Sequence, residues 1–209
     1  MTFRLTLLAF ALLLSAQAEA ATKAAPPAPA APAVAPAPAP AAVPQAKLVA
    51  ASSEVTFTAK QVGVPMDGRF KRFDAQIALD PKQPQTGKVN FSIELGSVNI
   101  AADTDAELVK PEWFNTAKFP KATFVSTAIK ATGAGKFDVT GKLTIKGQSR
   151  DLTVPVALAA AGGNTVATGS FAIKRLDFKV GEGDWADTSV VANDVQVKFK
   201  LSLQGMPAF

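Results

Sequence analysis

From about residue 47 onward, hydrophobic and polar residues alternate almost without pause. Val89, Phe91, Ile93 and Leu95 recur at every second position, as do Leu152, Val154, Val156 and Leu158, and again Val195, Val197, Phe199, Leu201 and Leu203. Successive side chains of an extended chain point to opposite faces, so this rhythm predicts strands with one apolar face. Runs of this kind fall at 48–60, 68–79, 88–99, 122–130, 135–146, 150–159, 165–174 and 194–203. Turn-forming clusters punctuate them: DPKQP at 80–84, ATGAGK at 131–136, KGQ at 146–148 and AGGN at 161–164. One stretch departs from the rhythm. Residues 105–120, DAELVKPEWFNTAKFP, predict a short helix and loop, with Trp113 and Phe114 as an apolar plug. Eight short antiparallel strands with short connections predict an up-and-down barrel or a sandwich. An eight-stranded barrel has an interior that side chains fill or that holds one small ligand.

The second run carries an irregularity. In GRFKRFDAQIALD, residues 68–80, Phe73, Ala75, Ile77 and Leu79 share one face, while Phe70 falls on the other. Two arrangements satisfy this. Either a β-bulge at Lys71–Arg72 absorbs one residue and both rings face inward, or the strand is regular and Arg69 and Lys71 point into the barrel. The second is costly unless the cations meet an anionic group.

The first 46 residues are of a different composition. Residues 1–20 read as a secretory signal peptide: Arg4 in a short basic start, an apolar run at 5–14, and small residues before cleavage after Ala18 or Ala20. Residues 21–46 form a Pro/Ala-rich linker that favours extended polyproline II. The globular domain is then 47–204, with a tail at 205–209. Export predicts a periplasmic location. The 209-residue chain has a net charge of +5, and loss of Arg4 with Glu19 leaves that balance unchanged.

There is no cysteine, so no disulfide and no lipid-modified cysteine. There is no histidine either, which removes the commonest general base and metal ligand and the side chain that ordinarily titrates between pH 5 and 8. The carboxylates Asp184 and Asp187 in GEGDWADTS are the best available pair for a hydrolase, and they read better as turn formers in a barrel-end cap. DTDAE at 103–107 lacks the glycine and the final glutamate of a calcium loop, and Asp103 or Thr104 is a natural helix cap. No nucleic-acid motif is present. Fourteen Phe and no Tyr suit a dry interior, because Tyr brings a hydroxyl that needs a partner. The same skew counts against a transmembrane barrel, whose interfacial girdles use Tyr and Trp. Composition alone leaves a solid core open as the alternative to a ligand-filled one.

Four segments in succession, TFTAKQVGVPMDGRFKRFDAQIALDP, PEWFNTAKFPKATFVST, GKLTIKGQSRDLTVPVAL and FKVGEGDWADTSVVANDVQVKFKL, resemble the YceI-like proteins in order and spacing. The resemblance covers about residues 48–203. It implies an all-β fold, an eight-stranded antiparallel lipocalin-like β-barrel with a short helical segment between strands 3 and 4. It also implies a long isoprenoid or similar amphiphile inside the barrel, an isoprenoid quinone or polyprenyl lipid as bound molecule, and no other cofactor. The barrel lining expected on this basis is Phe57, Phe70, Phe73, Ile77, Phe91, Ile93, Phe124, Phe137, Leu143, Phe171, Ile173 and Phe199, with Trp113 and Phe114 closing one end. Gln61, Arg69 and Arg72 are the expected headgroup contacts. Gln61 stands where the family often has histidine, so that position here exchanges hydrogen bonds without titrating. The partners expected are a lipid ligand and transient contact with a membrane; nothing in the sequence sets an oligomeric state. Hiding ten to fifteen carbons from water is worth roughly 8–12 kcal/mol of gross transfer, most of which cancels when the carbons come from a membrane.

Overall fold

The computed structural model describes residues 43–207. The expected signal peptide and nearly all of the linker lie outside them, as do the last two residues. Eleven strand segments form one antiparallel sheet. They are β1 (Gln45–Leu48), β2 (Glu54–Gln61), β3 (Val64–Phe70), β4 (Phe73–Ala78), β5 (Lys88–Glu94), β6 (Val98–Asn99), β7 (Lys121–Gly133), β8 (Lys136–Ile145), β9 (Gln148–Ala161), β10 (Asn164–Lys174) and β11 (Asp194–Gln204). The first six are three long strands, each broken once. A 3-10 turn at Ala50–Ser52 divides β1 from β2, Lys71 and Arg72 divide β3 from β4, and a 3-10 turn at Leu95–Ser97 divides β5 from β6. Counted that way there are eight strands in sequential order. They close on themselves because β11 pairs with both β1 and β2, while β1 pairs on its other side with β4. Of the barrel and the sandwich that the alternation allows, the structure is the eight-stranded barrel that the resemblance implies.

Strand β8 shows the rule that builds it. Phe137, Val139, Leu143 and Ile145 are buried, while Lys136 and Lys142 between and beside them are exposed. In β7 the register slips at Ser126/Ala128, with Thr127 as the extra residue. That slip moves the inward set from Ala122 and Phe124 to Ile129, a change of parity that a regular strand does not allow.

The break in the second long strand settles the irregular alternation. Phe70 packs against both core clusters and Phe73 against one, so both rings are on the inner side. Arg69, Lys71 and Arg72 are exposed. The interruption is larger than a one-residue bulge. The Lys71 N–H donates to the Ser97 carbonyl and the Arg72 N–H to the Ser97 hydroxyl, at 3.0 Å each. Ser97 thereby satisfies two backbone donors that would otherwise be stranded at the break.

Three expectations of local structure are corrected. The second strand starts at Val64, not at 68, because Val62 and Gly63 form a two-residue hairpin turn with φ of 49° and 78°. The helix α1 is Ala102–Leu108, ahead of the expected 105–120, and turns follow it. Neither Asp103 nor Thr104 caps it; Ala101 occupies the N-cap without a side-chain bond. The Asp105 carboxylate reaches back to the Ile100 N–H at 2.7 Å and the Asn99 amide at 3.1 Å, which fastens α1 to β6.

Candidate ligand-binding site

The inward positions of the strands enclose two adjoining chambers. The lower has a volume of about 130 Å³, and Thr123 supplies the one hydroxyl in its lining. Phe91, Phe124, Phe137 and Phe199 face it, with Ile77 from β4 and Met206 from the chain end. A cavity of this kind stays dry and accepts an apolar guest. The upper chamber measures about 450 Å³ and is lined by Phe57, Phe70, Phe171, Ile173, Trp113 and Phe114 among others. Ile93, Ala122, Leu143, Phe171 and Val197 line both. The upper chamber alone is within the size range of small-molecule sites.

Glycine keeps this bore wide. A Cβ on Gly68 would stand 2.3 Å from the tip of the Phe57 ring, one on Gly141 2.5 Å from Phe124, and one on Gly169 2.4 Å from Phe199. Phe57 and Phe199 are directly opposite their glycines across the ladder. The rings therefore lie along the wall over bare backbone instead of projecting across the interior. Sequence reasoning singled out the phenylalanines and missed these glycines. The signal was available as a glycine inside an alternating strand, which marks close approach.

The polar groups are concentrated at one end. Lys60 and Gln61 from β2, and Asp103, Thr104 and Glu107 from α1, border the upper chamber. Trp113 is only 8% exposed and packs against Trp185, the rings tilted by 49° with centres 5.4 Å apart, so the plug joins two loops. Its Nε1 is buried without a hydrogen-bond partner. Arg175, 3% exposed, stands over the Trp113 ring at 5.9 Å. Its five guanidinium N–H groups are matched by five carbonyls. Nε donates to Ala192 at 3.1 Å, one terminal nitrogen to Val180 and Gly181 at 2.9 Å, and the other to Trp185 and Val191 at 2.7 Å. Burial lowers its pKa, yet a guanidinium stays charged. Lys146, also buried, donates to the carbonyls of Glu112 and Lys179 and pairs with Glu182 at 2.9 Å. Two cations thus knit the loops of the cap. Neither was legible in sequence, because a single Arg or Lys near a strand end looks like any surface residue.

The remaining expected residues lie elsewhere. Phe73 lines neither chamber; it packs on Phe91 with ring centres 6.0 Å apart. Of the expected headgroup contacts, Gln61 borders the upper chamber, whereas Arg69 and Arg72 line a polar groove on the outer surface at the β3–β4 break. Arg72 is paired there with Glu94, and Arg69 reaches Asn99 at 3.4 Å. Asp187 accepts from the N–H and hydroxyl of Ser189, which hold its carboxyl below the ordinary range. A general acid requires the opposite direction.

A closed antiparallel barrel around an apolar bore, with its polar groups gathered in a cap, defines a cavity-bearing lipocalin-like barrel. The chain belongs to the YceI-like family: the family model of the YceI-like domain matches residues 47–203. Protein YceI of Salmonella arizonae is 38% identical over 110 residues, 52% of this chain and 57% of that protein, so the match spans little more than half of the curated relative. Among solved structures, BcnA of Burkholderia cenocepacia is 41% identical with a TM-score of 0.72, over 75% of this chain and 99% of that one. A YceI protein of Campylobacter jejuni is 26% identical with a TM-score of 0.59, over 65% and 82%. A polyisoprenoid binding domain from Saccharophagus degradans shares the fold, with a TM-score of 0.62 at 18% identity over 78% and 99%.

Proposed function

We propose that this protein encloses the chain of one long apolar molecule, of the polyisoprenoid or isoprenoid quinone class, and serves as a periplasmic carrier, scavenger or store. The observation that carries this reading is the pair of apolar chambers sharing a wall at Ile93, Ala122, Leu143, Phe171 and Val197. A flexible chain several isoprene units long fits two rooms joined at a waist better than a rigid polycycle does. The fold-level likeness to a polyisoprenoid binding domain agrees with this. A barrel with a solid core, displayed on a Pro-rich stalk, would have packed these volumes with its own side chains. No catalytic step is proposed.

Native mass spectrometry of protein purified gently from its own host tests the proposal. An adduct with the mass of an isoprenoid lipid is the expected result. Replacing Ala122 by Phe at the waist should shorten the longest quinone homologue retained by delipidated and reloaded protein. Protein that comes out empty and takes up no quinone overturns the reading.

A further inference from the structure

The barrel wall has a seam between its first two long strands where the ladder is missing, as it also is between β9 and β10 beyond Val156↔Gly169. Pairing between the first and second long strands runs from Gln45↔Ala78 to Lys47↔Gln76, and resumes only at Val55↔Phe70. Residues 48–54 and 71–75 therefore have no partners across this seam. Their polar groups are satisfied on the far sides instead. On one lip the Val49 N–H donates to Ser202 and the Ser202 N–H to the Ser53 hydroxyl. On the other, Lys71 and Arg72 donate to Ser97. Over the seam lies the outer groove, about 530 Å³, with Ala50 and Ser53 on one lip and Lys71 to Asp74 on the other. Its floor is one side chain thick: Val55 belongs to both the groove and the lower chamber, and Phe70 to both the groove and the upper chamber.

We propose that this seam is a side portal into the bore, closed by Val55, Phe70 and Phe73, through which an apolar chain passes while the phosphate head of the same molecule stays in the groove. The proposal rests on the apolar-chain reading of the bore and adds to it a route and a head chemistry. The route follows from the backbone. Moving a ring at the seam breaks no hydrogen bond between strands, whereas opening a paired stretch of the wall breaks a ladder, and here the outer groove shares its floor with both chambers. The head chemistry follows from charge. Four cations surround the groove, Arg69, Lys71, Arg72 and Lys121, against Glu54, Asp74 and Glu94. Arg72 and Glu94 neutralise each other, while Arg69, Lys71 and Lys121 have no ion-pair partner among the described residues. Guanidinium and ammonium groups on one rim suit phosphate oxygens.

The chain has no cysteine, which makes a lock straightforward to install. Ser53→Cys with Asp74→Cys, bridged by a short bis-maleimide, fastens the two lips together. Gln61→Cys with Thr104→Cys, bridged likewise, fastens the rim of the upper chamber. Delipidated protein is mixed with vesicles carrying undecaprenyl phosphate or undecaprenol, and uptake is followed over time. The expected results are uptake slowed at least about tenfold by the seam lock and little changed by the rim lock, for both probes. With Arg69, Lys71 and Lys121 all changed to Gln, affinity for undecaprenyl phosphate should fall at least about tenfold while undecaprenol is unaffected. The portal is overturned if the rim lock stops uptake and the seam lock does not. The phosphate seat is overturned if the triple variant treats the two probes alike. Unlocked protein that takes up neither probe overturns this proposal, while the apolar-chain reading falls only if the same protein also takes up no quinone; uptake of both by unlocked protein leaves that reading standing whatever the locks show.

Discussion

Arg175 spends a full positive charge inside the cap without a carboxylate partner, and the geometry explains how. Five carbonyl dipoles converge on its five donors, and Gly181 permits the approach, since a Cβ there would stand 2.4 Å from the guanidinium. Removing the donors leaves buried carbonyls unmatched, which is the expensive way to lose a hydrogen bond. Arg175→Met should therefore lower the unfolding free energy by at least about 3 kcal/mol in a denaturant titration, and Arg175→Lys should recover little, because an ammonium cannot match a planar fork. At this scale the sequence was informative about apolar residues and silent about polar ones. Phe57, Phe91 and Phe124 declare themselves by parity. Arg175 acquires its role from carbonyls five to seventeen residues ahead and Lys146 from loops more than thirty residues away, and no local pattern records that.

Among the elements, the short helix is held by a charge. Burial works to raise the Asp105 carboxyl, but the hydrogen bonds from the Ile100 N–H and Asn99, with Lys71 nearby, outweigh it and hold the group below the ordinary carboxylate range. A carboxyl lowered in the folded state contributes stability above its unfolded pKa and loses that contribution as pH falls through the folded value. Amides 100–108 should thus exchange faster in Asp105→Ala than in the native protein at pH 7, and the difference should fade below about pH 4 as the native carboxyl is protonated. Hydrogen exchange at the two pH values checks this. The β2–β3 hairpin is a contrasting element. Its turn places Val62 at a positive φ that β-branched residues rarely adopt, and Val62 and Val64 are 72% and 63% exposed. A valine in that turn is why the strand start at 64 was illegible: Asn-Gly or Asp-Gly is the usual signal for such a hairpin, and Val-Gly is not. The long strands were legible to within a few residues because alternation is set by the barrel interior. The breaks at Ala50–Ser52 and Leu95–Ser97 leave the same kind of parity change as Phe70–Phe73, from Ala46 and Leu48 to Val55 and from Leu95 to Val98, and only the one between the two phenylalanines was read.

For the whole molecule, closure of the end at β1 depends on very little, since β2 carries the rest of the closing ladder. Strand β1 makes two register pairs with β11 and three with β4, and Ala46 and Leu203 beside it are among the buried core. Removing residues up to Leu48 should leave the other strands paired but expose the lower chamber. The expected signs are faster hydrogen exchange along β4 and the end of β11, and a melting temperature lowered by roughly 2–4 °C for each kcal/mol lost. No histidine is present to titrate between pH 5 and 8, so this stability should be flat across that interval. The position of β1 has a mechanical meaning as well. It is the first strand after the Pro/Ala-rich stretch, so any pull on the preceding chain loads β1 before the rest of the sheet. The hoop consequently has a clasp at one end: tension on the preceding chain would work on the few rungs of β1 that close that end, and the same few rungs would reclose when the tension is released.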